Sequence, residues 1–579
     1  MPVYNRYPMV TPEGVLPPKI LDRLDERFVN HDEWVKQTST QISVASYGAT
    51  PGTATDQGTA FQSAIDTAAT FGIPVVVPSG TYTMNRALVL PSGSNLQMAP
   101  GAVLDYSTST ATNFLNASGS AGTPLAGPAI TVGTKTIPLS GHSMTAGDWC
   151  LIRSTDVFDP HSTSTTHGEL IQVASVGAGT VTFRTSVCDN YSNNVTITPL
   201  TMVKDVSVEG GTIRGNADPA GNKGGFRAQF TENVWIHRTR FERIDRAHIF
   251  IKDSVNAWVA HCTLDWAEST TMGYGMSFGD TIRDSGCIFS TFRAVRHSLS
   301  TNNTGSAGVG GIVRRILFFG NTVEDTTYAT AGSQLGGDAI DTHTAAEDIW
   351  IIQNSVNASA GQGINMECAS GIISGNTVED TVSTGINFHN EAVRPGNVTI
   401  TGNVVRRTGG HGIQARTGGR GSQVPTESMI ITNNRVSDVK DNGIQAGYIL
   451  IDRGAVVTTN VVHRAGGVPI RLYKLDGAVS HGNVVTGGAT MGIEYSNVTN
   501  AVLGPDSVDA GAPTSAWTGY SLTNVTYSKV TPGAVKVTDP AGVGVTVGSS
   551  CMHLALGPTN HLNAPTKLVN SAGATVVQY

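Results

Sequence analysis

Residues 371–390 read GIISGNTVEDTVSTGINFHN, and in this stretch Asn376 is followed ten positions later by Ile386. The same offset occurs six times in the second half of the chain, although successive Asn residues are 22, 27, 31, 26 and 23 positions apart. The pairs are Asn354/Ile364, Asn376/Ile386, Asn403/Ile413, Asn434/Ile444, Asn460/Ile470 and Asn483/Ile493. A repeat with one rigid segment and one loop of variable length predicts a solenoid of the parallel β-helix type.

Each repeated Asn is predicted to lie at a turn between two strands, because alternating apolar residues precede it and a β-branched residue follows it. Asn tolerates left-handed backbone and can hydrogen-bond to identical residues stacked above and below, so this column is interpreted as structural. The corresponding corners of the earlier coils are assigned to Gly211, Thr239, Cys262, Cys287 and Asn321. Cys262 and Cys287 are therefore expected at equivalent corners of neighbouring coils, as buried thiols.

The composition fits an all-β protein. The 579 residues include 67 Gly and only 6% aromatic residues, with abundant Val, Thr and Ser. No run of 18 apolar residues is present, so no membrane insertion is expected. A formal net charge of -7 gives no support for a nucleic-acid partner. The six Cys are scattered and none forms a CxxC pair, so we assign neither a metal nor a cofactor.

The chain divides into five parts. Residues 1–40 are rich in Pro and charged residues, with one short helical stretch predicted at Lys19–Phe28, and they show neither the basic nor the apolar region of a signal peptide. Residues 41–125 form a capping region and the first coils, and residues 126–200 read as a small β insertion of short strands and turns. The β-helix is assigned to residues 201–505. Residues 506–579 are expected to form a carboxy-terminal β module, with a trimerisation cap as its possible function.

The capping region contains one predicted helix. Thr59 and Gln62 are spaced as a capping box, Phe61, Ile65 and Ala69 form an apolar stripe, and Gly72 ends the helix before a buried strand at residues 75–77. Such a helix would cover the open end of the solenoid, where strand edges are otherwise unpaired.

This region resembles the amino-terminal signature of the pectate-lyase-like superfamily, in the residues YGA, D, AFQSAIDTA and VVVPSGTY between Tyr47 and Tyr82. The resemblance covers roughly residues 41–505 and implies a right-handed parallel β-helix. It does not specify the reaction, because the superfamily includes lyases, hydrolases, epimerases and carbohydrate binders.

The signature, the short amino-terminal segment and the expected lack of a signal peptide together resemble a bacteriophage tailspike. That resemblance implies a homotrimer on the virion tail, assembled in the host cytoplasm, that binds and often cleaves a bacterial surface polysaccharide. It also implies attachment to a phage tail or baseplate protein through residues 1–40.

The register sorts the side chains of the strand that begins at each Ile. If the Ile faces the core, the residues one and three positions later face outward. The first outward column is Asp341, Asn365, Asn387, Gln414, Gln445, Arg471 and Glu494, and the second is His343, Glu367, His389, Arg416, Gly447 and Tyr473. The acids, imidazoles and amides of these two columns together form one strip and indicate a carbohydrate site. Insertions at residues 326–337 and 417–428 flank it and are interpreted as groove walls.

Two chemistries fit this strip. For glycoside hydrolysis, Asp341 and Glu367 are the predicted acid and base, with a backbone separation of roughly 8 Å that falls in the inverting range. Asp338 is a third carboxylate, and the sequence GGDAIDTH around it resembles the acidic cluster of endoglycosidase tailspikes. The amides Asn365, Asn387 and Gln414, with Arg416, Arg471 and Tyr473, are the predicted substrate-binding residues.

For β-elimination on a uronate, His343 or His389 would be the base, and Arg416, Asn365 or Asn387 would neutralise the carboxylate. Glu367 between the two imidazoles favours hydrolysis over this alternative. A non-catalytic receptor-binding surface is the third possibility. The pair Arg296-His297 is interpreted as a hydrogen-bonding corner.

Overall fold

The computed structural model describes residues 10–11, 14–15 and 41–578, apart from 159–164, 217, 219–220, 268–272, 303–309, 327–336, 344, 391–395, 418–425, 448–450, 512–515, 538–540, 558–561, 565 and 571–575. The predicted helical stretch at residues 19–28 and most of the two predicted groove walls lie outside the described residues. Residues Val10–Thr11 and Gly14–Val15 form a small antiparallel pair. In the part of the chain described, no helix is long and apolar enough to span a membrane.

Most of the chain forms a parallel β-solenoid of about 16 turns, as the Asn-to-Ile offset predicts. Each coil contributes strands to three parallel sheets, which we call sheets 1, 2 and 3 in chain order. Sheet 1 contains Ile42–Ser43, Val75–Val77, the first halves of Asn95–Asp105 and Val203–Arg214, Thr231–His237, Val255–Ala260, Arg283–Ile288, Val313–Phe319, Ala346–Ile352, Ser370–Ser374, Gly396–Thr401, Thr426–Thr432, Ala455–Thr458, Val479–His481, Val502–Leu503, Lys529–Val530, Leu554–Leu556 and Val576–Gln578.

Sheet 2 contains Gly80–Thr83, the second halves of Asn95–Asp105 and Val203–Arg214, Arg240–Glu242, Thr263–Ala267, Thr291–Val295, Thr322–Glu324, Ser355–Asn357, Thr377–Thr381, Val404–Thr408, Arg435–Val439, Val461–Ala465, Val484–Thr486, Ser507–Asp509, Val535–Lys536 and Leu562–Asn563. Sheet 3 contains Leu88–Val89, Asn113–Ser118, Gly224–Gln229, Ala247–Lys252, Tyr274–Gly279, His297–Asn302, Ile340–Thr342, Ile364–Glu367, Ile386–Asn390, Ile413–Thr417, Ile444–Ala446, Asp452–Arg453, Ile470–Asp476, Met491–Thr499, Thr518–Thr523, Val543–Val547 and Thr566–Asn570.

The predicted Ile column is confirmed. The residues Ile340, Ile364, Ile386, Ile413, Ile444, Ile470 and Ile493 pair in sequence on sheet 3, and every one is fully buried. The column continues toward the amino terminus through Leu299, Met276 and Ile249. Because each strand aligns with the next residue by residue, one correct position fixes the inward and outward faces of the whole sheet.

Replacing Ile413 with Ala should lower the free energy of unfolding by about 2–5 kcal/mol, because a cavity would remain in a core packed above and below by other Ile residues. Equilibrium urea unfolding would measure the change. Val484→Ala is the matched control, since Val484 is 43% exposed on sheet 2 and its truncation should cost less than about 0.5 kcal/mol. Equal stabilities of the two variants would contradict the core assignment.

The Asn column forms a continuous hydrogen-bonded ladder at the corner between sheets 1 and 2. From Asn321 to Asn483, each side-chain amide donates to the side-chain oxygen of the next Asn at 2.9–3.0 Å. The amide nitrogens also donate to main-chain carbonyls of neighbouring coils, and the residues are at most 1% exposed. The ladder satisfies polar groups inside the solenoid, which confirms its structural role.

One corner assignment was wrong. Cys262 lies at a corner, but its neighbour there is Ser290, whose hydroxyl accepts from the main-chain nitrogen of Cys262 at 3.1 Å. Cys287 lies earlier on its strand and pairs with Val259 and Phe318 in the inward column. Ser290 and Asn321 fill the same corner position in successive coils. Because Ser does not resemble Asn, sequence similarity alone did not identify Ser290 as the corner residue. All six Cys are free thiols, and Cys262 and Cys287 are buried, as predicted for these two.

Parallel pairing does not end near residue 505. Asn483 donates to Asp506 at 2.8 Å, so an Asp terminates the Asn ladder. The Ile column then continues through Tyr520, Val545 and Leu568. The sequence suggested a boundary here because the side chains change and the offset lengthens to 14 positions, from Asp506 to Tyr520. The strands described after Asp506 continue the pairing of the β-helix.

The insertion is an antiparallel sheet, as its short strands and turns indicated. Its strands are Ser120–Ala121, Leu125–Ala126, Thr136–Pro138, Trp149–Val157, Thr166–Gly177, Thr180–Phe183 and Thr196–Thr201. It has its own apolar core and also packs against the β-helix. At that contact, buried Arg314 of sheet 1 forms ion pairs with Asp189 of the insertion and with Glu347.

The predicted helix spans Gly58–Phe71, and Gly72 ends it in left-handed backbone with φ of 64°. Phe61, Ala64, Ile65 and Ala68 face the core of the first coils. The capping box is not formed, because Gln57 is the N-cap residue. Gln62 instead exchanges two hydrogen bonds with the main chain of Val89, which attach the helix to sheet 3.

Candidate active site

The predicted strip lies on the outer face of sheet 3. Pairing places Asp341, Asn365, Asn387, Gln414, Gln445, Arg471 and Glu494 in one column. Glu367, His389 and Arg416 pair in the second column. The first column and these three residues of the second therefore have the predicted order along the axis.

The first column is more buried than a solvent-facing column was expected to be. From Asp341 to Gln445, its five residues are 2–7% exposed. Their polar groups stack on one another, and Asn387 donates to Asn365 at 2.8 Å. The second column is more accessible at two positions, since the His343 side chain is 40% exposed and that of Glu367 is 18% exposed, whereas that of His389 is 8% exposed.

One residue, Asn365, connects two carboxylates of the strip. The Asn365 amide nitrogen lies 3.0 Å from Asp341 Oδ1 and 3.1 Å from Glu367 Oε1. These two oxygens are therefore no more than about 6.1 Å apart. The one Asn365 amide therefore holds the nearest oxygens of Asp341 and Glu367 closer together than the predicted backbone separation of roughly 8 Å.

Asp341 is engaged on both oxygens. Oδ1 accepts from Asn365, and Oδ2 lies 3.2 Å from His343 Nε2 and 3.5 Å from His297 Nδ1. Its side chain is 4% exposed. Asp341 is therefore placed to orient the neighbouring side chains and to act on them electrostatically. Neither of its oxygens is directed to solvent.

Glu367 has one engaged oxygen and one available. Oε1 contacts Asn365 and His389 Nε2, the latter at 3.0 Å, whereas Oε2 has no hydrogen-bond partner among the described residues. Burial opposes ionisation, but the His389 hydrogen bond and charge and the nearby His343 lower the pKa of Glu367 to about 2. Glu367 is therefore a carboxylate throughout the neutral and mildly acidic range.

Asp338 has the opposite character. Burial, the charge of Asp341 and the charge of Glu367 raise its pKa to about 7, although a 2.6 Å hydrogen bond from the Gln362 main-chain nitrogen works in the other direction. The cluster thus holds one carboxyl group that is protonated up to neutrality beside two acidic neighbours. Such a difference within one site is what general acid–base catalysis requires.

Two residues of this cluster were not among the predicted site residues. His297 begins a strand of sheet 3, and its Nδ1 lies 3.0 Å from the carbonyl oxygen of Asp338. Burial lowers the pKa of His297 to about 4, so its ring is neutral at pH 7. The ring of Tyr274 on the preceding coil packs against it edge-on at 5.0 Å. The sequence predicts a hydrogen-bonding corner pair at Arg296-His297, and the structure shows in addition that His297 Nδ1 lies 3.5 Å from Asp341 Oδ2 of the acidic cluster.

The far end of the strip is separate from the acidic cluster. Arg471 pairs with Glu494 at 3.0 Å, and its guanidinium lies 5.1 Å from the ring centre of Tyr473. Four coils, about 19 Å along the axis, separate the strand of Glu367 from that of Arg471. Gln414 and Gln445 lie between these two groups. Among the described residues, no group of three or more His, Cys, Asp or Glu could hold a metal ion.

Comparison with known proteins supports the fold assignment. Residues 41–273 match the family model described as rhamnogalacturonase A/epimerase, pectate lyase-like. The tailspike protein gp49 from Pseudomonas phage LKA1 is similar in structure, with a TM-score of 0.56 and 17% identity over 89% of this chain and 84% of that chain. The tailspike gp61 of Pseudomonas phage phi297 has a TM-score of 0.53 and 14% identity over 94% and 82%. Among curated protein sequences, none matches this chain significantly. The fold is a pectate-lyase-like right-handed β-helix.

Proposed function

We propose that this protein is a phage tailspike that binds a bacterial surface polysaccharide and cleaves it by glycoside hydrolysis. The proposal rests on the acidic cluster, in which the Asn365 amide links Asp341 and Glu367 at 3.0 and 3.1 Å. Burial and the charges of Asp341 and Glu367 raise the pKa of Asp338 to about 7, while Glu367 stays ionised. The similarity in fold to two phage tailspikes supports the biological setting.

In the proposed reaction, Asp338 donates its proton to the glycosidic oxygen as the bond to the sugar breaks. Glu367 acts as the base through its available oxygen and accepts a proton from the water that attacks the sugar carbon. Asp341 does not transfer a proton. Its negative charge keeps Asp338 protonated, and His343, His297 and Asn365 hold it in place.

The remaining strip residues are proposed to bind the sugar chain. The amides Asn387 and Gln414 and the cation Arg416 follow Glu367 along the axis, and Arg471 and Tyr473 lie farther on. An elongated row of amides, cations and one aromatic ring suits an extended polysaccharide more than a small molecule.

The test is to incubate the protein with purified capsular polysaccharides and lipopolysaccharide O-chains from a panel of bacteria and to analyse the products. New reducing ends without an unsaturated sugar are expected. Ultraviolet absorbance from an unsaturated uronate would contradict hydrolysis and indicate β-elimination, with a histidine as the base. Binding without cleavage would make the strip a receptor-binding surface.

The pH dependence of kcat/KM should report the two carboxyl groups. Activity should be high between about pH 4 and 6 and should fall as pH rises through about 7, where Asp338 loses its proton. The limb of Glu367, near pH 2, should lie below this range. Initial rates in constant-ionic-strength buffers would measure the profile. A rate that rises between pH 6 and 8 would contradict Asp338 as the acid.

A homotrimer is part of the proposal, because the proposed tailspike role implies three chains with parallel axes. Light scattering during size-exclusion chromatography should give about three times the 60.4 kDa chain mass. A stable monomer would favour a free polysaccharide-degrading enzyme over a virion component.

A further inference from the structure

A cleft of about 600 Å³ lies at the corner between sheets 2 and 3 in the early coils, outside the acidic cluster. Its lining includes Arg214, Arg240, Arg243, Glu242, Asp265 and Trp266. Trp266 is 48% exposed there. The proposed catalytic reaction uses none of these residues.

Two of the three arginines are held in fixed positions. Arg214 and Arg240 both bind Glu242, at 2.6 and 2.7 Å, and Arg240 also binds Asp265 at 2.7 Å. Burial opposes ionisation of Glu242, but the two arginines lower its pKa. These ion pairs give the cleft a rigid charged wall.

Arg243 differs from the other two arginines. Its guanidinium lies 5.9 Å from the centre of the Trp266 ring. Among the described residues, no carboxylate forms an ion pair with Arg243. A cation held beside an exposed aromatic face offers two kinds of contact, one for an anion and one for an apolar surface. A sugar ring with a carboxylate presents both, since its C–H groups form an apolar face and its carboxylate accepts two hydrogen bonds from a guanidinium.

We propose that this cleft is a second saccharide-binding site, in which a carboxylated sugar stacks on Trp266 and its carboxylate binds Arg243. The inference rests on the proposed function in taking a polysaccharide as the ligand. Trp266 precedes the strand Tyr274–Gly279, which is two coils before Ile340–Thr342, the strand of Asp341. Two coils correspond to about 10 Å along the axis.

Binding can be tested without cleavage by using the Asp338→Asn protein in native affinity electrophoresis. The probes are polygalacturonate, alginate and hyaluronan, with the carboxyl-reduced form of each as the uncharged comparison. At least one polyuronate should retard the protein, and its reduced form should not. Trp266→Ala and Arg243→Gln should each weaken that binding by about tenfold. Phe289→Ala is the matched control, because Phe289 is 44% exposed but stacks on His261 away from the cleft.

Binding that is unchanged in Trp266→Ala, or the absence of binding to all three polyuronates, would overturn the second site. An equal loss in Phe289→Ala would also overturn it, because the effect would then not be specific to the cleft. Cleavage of a bacterial polysaccharide is measured separately. If cleavage is never found but binding depends on Trp266, the second site stands and the hydrolase proposal fails. If a polysaccharide is cleaved but binding does not depend on Trp266, the hydrolase proposal stands and the second site fails.

Discussion

Replacing Asp338 with Asn should lower kcat for polysaccharide cleavage by at least about 10², because the site would lose the proton it gives to the leaving oxygen. Glu367→Gln should cause a loss of the same order by removing the base. Binding of the uncleaved polysaccharide should persist in both variants, since the amide keeps the size of the acid. Steady-state kinetics combined with equilibrium binding would separate the two effects.

Asp325→Asn is the matched control, because it makes the same chemical change outside the cluster. Asp325 is exposed and directly follows the sheet 2 strand of the same coil. Asp341→Asn should act differently from the other two substitutions. It removes a charge that raises the pKa of Asp338, so the alkaline limb of the pH profile should move to lower pH. Wild-type rates for Asp338→Asn would exclude the proposed acid.

Replacing Arg314 with Met should lower the free energy of unfolding by about 3–5 kcal/mol at pH 7, because two buried carboxylates would lose their cation. Arg314 is 3% exposed and bridges Glu347 and Asp189 at the contact of the insertion with sheet 1. Burial alone would lower the pKa of Arg314, but these acids raise it well above its usual value. Denaturant unfolding would measure the loss, and limited proteolysis would show whether the insertion has detached.

Arg406→Met is the control for charge removal, since Arg406 is 46% exposed in its ion pair with Glu379 and should contribute less than about 1 kcal/mol. The effect of Arg314→Met should shrink in acid, where protonated carboxyls no longer need a cation. Equal destabilisation by the two substitutions would contradict a special role for the buried contact.

The sequence by itself determined the β-helix and the register of sheet 3. A ten-residue offset was sufficient because parallel strands align residue by residue. Once Ile386 is placed in the core, the positions of Asn387 and His389 follow, and the same reasoning applies to every coil of similar length. The rule failed where the coil changed. Ser290 fills a corner without resembling Asn, and after Asp506 a longer offset and a Tyr in the Ile column hid the continued stacking.

The acidic cluster was predicted only in outline. The sequence placed Asp338, Asp341 and Glu367 near one another and predicted Asp341 and Glu367 as the acid and base, whereas our proposal gives the role of the acid to Asp338. Only the tertiary structure decides which carboxyl keeps its proton, because the pKa depends on burial and on charges that come from other coils. The same holds for His297, which a long insertion before Ile340 separates from Asp341 in the chain, and for Arg314, whose partner Asp189 comes from the insertion. Strand register is a local property repeated along the axis, whereas protonation and docking are set by contacts between distant parts of the chain.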